Sequence, residues 1–199
     1  MLPLGTNCPE FELDVVPGIR LDKENIFNGS KSIKSNLLPK KPLLIMIICA
    51  HCPFVKHIEK GIASLHSDYG QKVQFLAVSS NSLITHPQDG PEYLANQANK
   101  LDWNFPYLMD LGQTLAKDLK AACTPEFYAF SPSLNGLQIL RYRGQLDNSS
   151  PGNQVPVSGS ALRFALDCIL KGSEVPVDQK PSIGCNIKWH PGEEPDWFG

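Results

Sequence analysis

The stretch that most restricts how this chain can fold is the apolar run Leu43-Leu44-Ile45-Met46-Ile47-Ile48, followed at once by Cys49-Ala50-His51-Cys52-Pro53-Phe54. An apolar run this short cannot cross a bilayer and reads as a buried strand. Pro53 suits the first turn of a helix, where its missing N–H forfeits no bond. Phe54, Val55, Ile58 and Ile62 then recur at helical spacing with Lys56, Glu59 and Lys60 between them. That pattern predicts a helix from Pro53 to Tyr69, stopped at Gly70. Two thiols are thereby set at the N-terminus of a helix and at the C-terminal end of a central strand.

That position has chemical consequences. A thiolate is a good nucleophile and a thiol is not. Free cysteine titrates near pH ~8.5, and a helix N-terminus or a neighbouring cation lowers that value. Both aids are at hand here, the helix dipole and His51 between the cysteines. With two residues between them, the sulfurs of Cys49 and Cys52 can close a small ring and cycle between dithiol and disulfide. The plain alternatives are half of a structural zinc site or two buried core thiols. Zinc needs two further ligands, usually in a second closely spaced pair, and the sequence has no second pair. CxxC beside a βα pattern in a cytosolic chain reads as redox-active. The reading requires two neighbouring sulfurs, one ionised near neutral pH, that a partner can reach.

The rest of the composition excludes more than it adds. A chain of 199 residues fits one domain with a sizeable core. Hydrophobic content of 42% and charged content of 19% are those of a globular protein. A net charge of −2 leaves no footprint for nucleic acid or an anionic membrane. Met1 to Asn7 lack a basic segment followed by an apolar core, so no signal peptide is expected. Six cysteines are too few for a disulfide scaffold, and the expected compartment is a reducing cytoplasm.

Along the chain, Phe11 and Leu13 alternate in a stretch that reads as an edge strand opened by Pro9. Val73–Ser79 reads as a parallel neighbour of the central strand. The loop from Asn81 to Pro91 opens at that strand's carboxyl end, where ligands bind in open α/β sheets. His86 there is read as a solvated loop residue, and His57 and His66 as surface residues of the first helix. Helices are expected over Pro91–Leu101 and Gln113–Lys120, with an extended piece between them at Trp103–Asp110. A strand at Glu126–Phe130 pairs with Leu137–Tyr142 through the turn signal Asn135-Gly136. A last helix, capped by Ser158 or Ser160, presents Leu162, Ala165, Leu166 and Ile169 and ends at Gly172. Cys8 and Cys168 read as structural thiols. The segment after Glu174 is proline-bearing, without periodicity, and is expected to wrap the body.

Cys49-Ala50-His51-Cys52-Pro53-Phe54-Val55-Lys56 resembles the active-site turn of the thioredoxin-like superfamily, and more narrowly a peroxiredoxin-like, AhpC/TSA-related branch common in bacteria whose motif reads CxHCPxVK. Cys123-Thr124-Pro125-Glu126-Phe127, Tyr142-Arg143-Gly144 and Gly184-Cys185-Asn186-Ile187-Lys188-Trp189 match the same branch, as does the opening Pro9, Phe11, Leu13, Gly18. The resemblance implies an α/β thioredoxin-like fold: a central mixed sheet flanked by helices, an N-terminal β-hairpin and an extended C-terminal tail. Residues 1–172 would form the thioredoxin-like domain and 173–199 the tail packed on it. It further implies that Pro125 is cis and that Thr124 and Pro125 bind substrate backbone. Arg143 matches an arginine that peroxiredoxins keep near their thiolate; otherwise it is a surface strand residue. Cys123 and Cys185 are candidates for a third redox thiol. Alternatively Cys123 is core, and Cys185 and Trp189 only pin the tail.

Three functions follow. The first is thiol–disulfide exchange, with Cys49 as nucleophile, Cys52 resolving and His51 favouring the thiolate. The second is a thiol peroxidase. Peroxiredoxins carry Thr or Ser three residues before their peroxidatic cysteine; here that position is Met46 for Cys49 and Cys49 itself for Cys52, and that counts against it. The third is a non-enzymatic redox sensor or metal-binding protein using Cys49, Cys52, Cys185 and His51. No cofactor is expected. The expected partners are protein or small-molecule disulfides or hydroperoxides, with a reductant such as thioredoxin or glutathione.

Overall fold

The apolar run of the sequence forms the middle of a seven-stranded sheet. In the computed structural model, which describes residues 2–198, the strands are β1 (Glu12–Val15), β2 (Ser32–Lys34), β3 (Leu43–Ile47), β4 (Gln74–Ser79), β5 (Tyr107–Met109), β6 (Cys123–Thr124), β7 (Glu126–Pro132), β8 (Gln138–Gly144) and β9 (Cys185–Asn186), and the helices are α1 (Pro53–Tyr69), α2 (Pro91–Lys100), α3 (Thr114–Asp118) and α4 (Ser160–Lys171). The large sheet runs β2-β1-β5-β4-β3-β7-β8, and β6 pairs with β9 apart from it. β3 is parallel to β4 and antiparallel to β7, so the sheet is mixed.

Every residue of β3 is buried, because the sheet is covered on both faces. Alternation with a period of two divides the strand. Leu44 and Met46 join one core with α1, α2 and α4. Leu43, Ile45 and Ile47 join the other with Leu115 and Ala116 of α3 and with Ile187 and Trp189 of the tail. Each such side chain, fully buried, contributes roughly 1.5–3 kcal/mol from the apolar area it hides. α1 lays Val55, Ile58, Ile62 and Leu65 on the sheet. Its polar residues face outward, as the 3.6-residue period requires.

Several local expectations are corrected. β1 lies between β2 and β5 rather than at an edge; the edge is taken by β2, which β1 meets antiparallel after a long connection. α4 has Gly159 as its N-cap residue, at φ +68. Ser158 Oγ accepts the N–H of Ser160, the first residue of α4, at 3.2 Å, and the Asp147 carboxylate accepts the N–H groups of Ser158 and Gly159 just before it. His66 is half-buried, its ring edge-on to Phe75 and Phe105, and burial pushes its pKa down. The tail is structured by pairing. Its strand β9 runs antiparallel to β6, with Thr124 opposite Cys185. Among the described residues no helix is long and apolar enough to cross a membrane.

Candidate active site

The end of β3, the start of α1 and the bend between β6 and β7 converge on two sulfurs. Cys52 is the N-cap residue of α1 and Pro53 its first residue. The Thr124–Pro125 peptide bond facing them is cis. Thr124 touches both thiols: its Oγ1 lies 3.4 Å from Cys49 Sγ, and its carbonyl oxygen lies 3.2 Å from Cys52 Sγ. Cys49 and Cys52 share one core cluster, against which Cys185 packs, and Cys185 lies opposite Thr124 in the β6–β9 pair. Cys49, Cys52, Thr124, Pro125 and Cys185 are therefore assembled in one place. Neither Cys49 nor Cys52 has exposed surface, at 0% each, whereas Cys185 is half-buried.

The group that sequence reasoning missed is Asp89. It stands in the loop after β4 and is fully buried. Its Oδ1 accepts the backbone N–H groups of Ala50 and His51 at 3.0 and 3.1 Å. Its Oδ2 accepts the Asn81 amide at 2.8 Å and sits 2.5 Å from His51 Nδ1. A buried carboxylate needs such donors, and these four lock the two residues between the cysteines. His51 Nδ1 is 3.8 Å from Cys49 Sγ, so the nearer and charged acceptor takes the ring proton. His51 is held by Asp89 rather than aimed at the sulfur. His86, in the exposed loop as expected, also stacks on His51 with ring centroids 5.2 Å apart, and burial followed by the charge of His51 pushes its pKa down. The loop's position at the carboxyl end of a strand was a signal for this region, but nothing in the spacing ties residue 89 to residue 51.

The sulfurs divide in acidity. Cys49 is pushed up by its hydrogen bond with Cys52, then by burial and by the Asp89 charge. Cys52 is held below the ordinary 9.0, chiefly because Cys49 donates to it, with further help from Cys185, Thr124 and the Val55 N–H against burial. The Thr124 carbonyl oxygen is a contact that a Cys52 thiolate would oppose. Donors gather around Cys52, at the helix cap, so it joins Cys49, where the sequence reading puts the nucleophile, as a candidate thiolate. On the far side of Cys49, Gln97 Nε2 donates to the Cys49 carbonyl and to Glu59, while Gln97 Oε1 accepts from Tyr107.

Other candidates fall differently. Cys123 is buried beside Thr124, and burial followed by the Glu126 charge pushes it up to about 12. Cys8 is pushed up to about 12 by burial, and Cys168 is buried within α4. The Arg143 guanidinium donates to the Leu2 carbonyl and the Arg143 backbone N–H to Gln179; its recorded partners are not the sulfurs. Cys49 Sγ, His51 and the Asp89 carboxylate lie within 4.8 Å of one another, a trio that could hold a metal ion. Both Asp89 oxygens already serve four N–H donors, and the set fits a hydrogen-bonded lock better than a coordination sphere.

Several solved structures are similar in overall shape. An uncharacterized conserved protein from Geobacillus kaustophilus is 42% identical with a TM-score of 0.84, covering 96% of this chain and 95% of its own. A hypothetical protein from Sinorhizobium meliloti 1021 is 34% identical with a TM-score of 0.83, covering 96% and 97%. AhpC of Mycobacterium tuberculosis, at 20% identity, a TM-score of 0.57 and coverage of 89% and 97%, shares the fold. No curated protein sequence matches the chain. The fold is the thioredoxin-like one. Within it, the sequence model of the AhpC/TSA family matches residues 4–144, and the chain belongs to that family.

Proposed function

We propose that this protein is a thiol–disulfide oxidoreductase whose redox pair is Cys49 and Cys52. The observation that carries the reading is the convergence of both sulfurs on Thr124 at the cap of α1, Cys49 Sγ 3.4 Å from its Oγ1 and Cys52 Sγ 3.2 Å from its carbonyl oxygen. In the reduced state Cys52 is the thiolate. It attacks one sulfur of a disulfide and expels the other as thiolate, and Cys49 then attacks the Cys52 sulfur and expels the bound half. Two protein thiols are oxidised to one disulfide while the substrate disulfide is reduced to two thiols. When Cys52 enters a mixed disulfide its charge is gone, and with it the chief cause holding Cys49 in its protonated form, so the resolving step is self-timed. His51 and Asp89 hold the turn, and Thr124 and Pro125 face the reacting sulfurs. The chain returns to its reduced form through a dithiol or small thiol such as thioredoxin or glutathione, in a reducing compartment.

A second reading, a thiol peroxidase, is favoured by one specific feature. The hydroxyl absent from position 49 has a substitute in Thr124, whose Oγ1 sits at the sulfurs. One experiment separates the two. Oxidised glutathione and hydrogen peroxide are offered in turn to the reduced protein and to its Cys49→Ser and Cys52→Ser variants, with a dimedone trap for sulfenate. Disulfide exchange predicts glutathione release and a Cys49–Cys52 bond, the bond being lost in both variants. Fast peroxide consumption with a trapped Cys52 sulfenate would transfer the assignment to the peroxidase. If wild-type protein forms no Cys49–Cys52 bond with either oxidant, the redox pair is misassigned.

A further inference from the structure

The redox pair has no exposed surface, yet a third thiol stands beside it. Cys185 packs against the cluster that holds Cys49 and Cys52, is itself half-buried, and lies opposite Thr124 in the β6–β9 ladder, the residue whose carbonyl oxygen is 3.2 Å from Cys52 Sγ. The placement is built into the backbone. A side chain at position 184 would put its Cβ 2.1 Å from the Thr124 carbonyl oxygen, and one at 144 would put its Cβ 2.1 Å from the Lys180 carbonyl oxygen, so glycine alone lets the tail close on the body at both points. Beyond Cys185 the Ile187 N–H donates to the Ala122 carbonyl. The Lys188 carbonyl accepts from the Ser82 backbone and from Gln113, and Ile187 and Trp189 are buried. The tail is therefore pinned, and pinning it sets Cys185 beside the pair. A cavity of about 310 Å³, bordered by Phe54, Pro125 and Ile183, flanks this point and is of a size that takes a small molecule.

We propose that Cys185 is the outward terminus of a three-thiol relay, through which the buried pair exchanges with small-molecule thiols and disulfides. The inference rests on the Cys49–Cys52 pair proposed above. In the oxidising direction the Cys185 thiolate attacks an external disulfide RSSR, and one RS⁻ leaves. Cys52 attacks the Cys185 sulfur and displaces the second RS⁻, and Cys49 then attacks Cys52 and releases Cys185. One disulfide bond is broken outside and one is formed inside, with two thiols oxidised and two produced. In the reducing direction a small thiolate attacks the exposed sulfur of a Cys52–Cys185 bond, and the acidic Cys52 thiolate is the leaving group, which speeds the step. Through Cys185, exchange reaches a pair that otherwise reacts only when the structure opens locally.

The test uses oxidised glutathione and peptide mapping of the full chain. With Cys49→Ser the relay stops one step short, so a Cys52–Cys185 disulfide accumulates and no glutathione stays on Cys52. With Cys185→Ser, oxidation of the Cys49–Cys52 pair slows by at least about tenfold, because the pair then reacts only through local opening. If the Cys185→Ser chain forms the Cys49–Cys52 disulfide at the wild-type rate, or if the Cys49→Ser chain keeps glutathione on Cys52 beside a free Cys185, the relay is overturned while the redox pair stands. A wild-type chain that forms no Cys49–Cys52 bond removes the underlying reading instead. Should the Cys185→Ser chain fold poorly, limiting maleimide on wild-type protein gives the answer: Cys185 labels ahead of Cys49 and Cys52 under the relay, and after either of them if the inference is wrong.

Discussion

Asp89→Asn is the substitution that most directly probes how the site is held. The change keeps the shape and removes the charge. With its Oδ1 left facing Ala50 and His51, the backbone bonds at 3.0 and 3.1 Å survive. The new amide nitrogen then occupies the Oδ2 position, facing His51 Nδ1 and the Asn81 amide. The charge-assisted bond to His51 contributes roughly 1.5–3 kcal/mol, and an unsatisfied donor at Asn81 costs roughly 1–3 kcal/mol. A change of imidazole tautomer lets His51 accept from the new amide and recovers part of the first loss. The net destabilisation is then about 2–4 kcal/mol. For a chain of this length that is a fall in melting temperature of about 4–16 °C, at 2–4 °C per kcal/mol. Scanning calorimetry of the reduced protein reads this directly. Combining Asp89→Asn with His51→Ala should give a double variant more stable than the two losses added, because both remove the same bond. A melting temperature within about 2 °C of wild type, or strict additivity in the cycle, would refute the claim that Asp89 organises the turn.

Three other outcomes are expected. Cys52 is held below its unfolded value, so over the window between the two the folded chain binds fewer protons than the unfolded one. Its stabilisation is fully present above the unfolded value and is lost as pH falls through the lowered folded value. Urea unfolding should therefore show wild type gaining on Cys52→Ser between about pH 6 and about pH 9; a constant gap across that window would remove the assignment of the acidic thiol. Thr124→Val deletes a hydroxyl that favours the ionised form of both Cys49 and Cys52. The pH midpoint for thiolate absorbance should rise and stability should fall by about 1 kcal/mol, and an unmoved midpoint would mean that the hydroxyl is turned elsewhere. Gln97→Leu leaves the buried Tyr107 hydroxyl without its acceptor and should cost about 2–3 kcal/mol in denaturant titration, whereas a loss below about 0.5 kcal/mol would indicate that water or a neighbour replaces the bond.

The elements that carried their own periodic signal were legible. β3, α1 and β4 lie where apolar runs and 3.6-residue spacing put them, and Pro53 and Gly70 bound α1 as their conformational limits require. What could not be read was anything specified by a long-range partner. β9 spans only Cys185–Asn186, too short for any alternation, and exists because the edge of β6 is open to it. Part of the α4 entrance is hidden for a related reason: the carboxylate that accepts the Ser158 and Gly159 N–H groups is Asp147, outside the local window in which a capping serine is sought. Asp89 is the same case at the site. The chain pattern that makes a carboxylate a ligand for residues 50 and 51 lies in the way the β4 loop folds back over the α1 cap, and one sequence carries no trace of that return.

Burial of the redox pair changes what the surrounding groups are for. A thiolate stripped of water is unfavourable unless donors replace the lost hydration. Around Cys52 those donors are other thiols, the Thr124 hydroxyl and the helix cap, and none of these brings a full positive charge. The acidity of Cys52 is thus conditional on its neighbours remaining protonated. Oxidising Cys49 or Cys185 removes a donor at the same moment that it removes a competitor for the proton. Under the proposed chemistry the site alternates between a reduced cluster with one shared thiolate and an oxidised pair with none. An enclosed cluster of this kind resists stray electrophiles, because the thiolate is present but unreachable. It can remain enclosed and still exchange only if one sulfur stands at the boundary, and Cys185, half-buried and opposite Thr124, occupies that boundary.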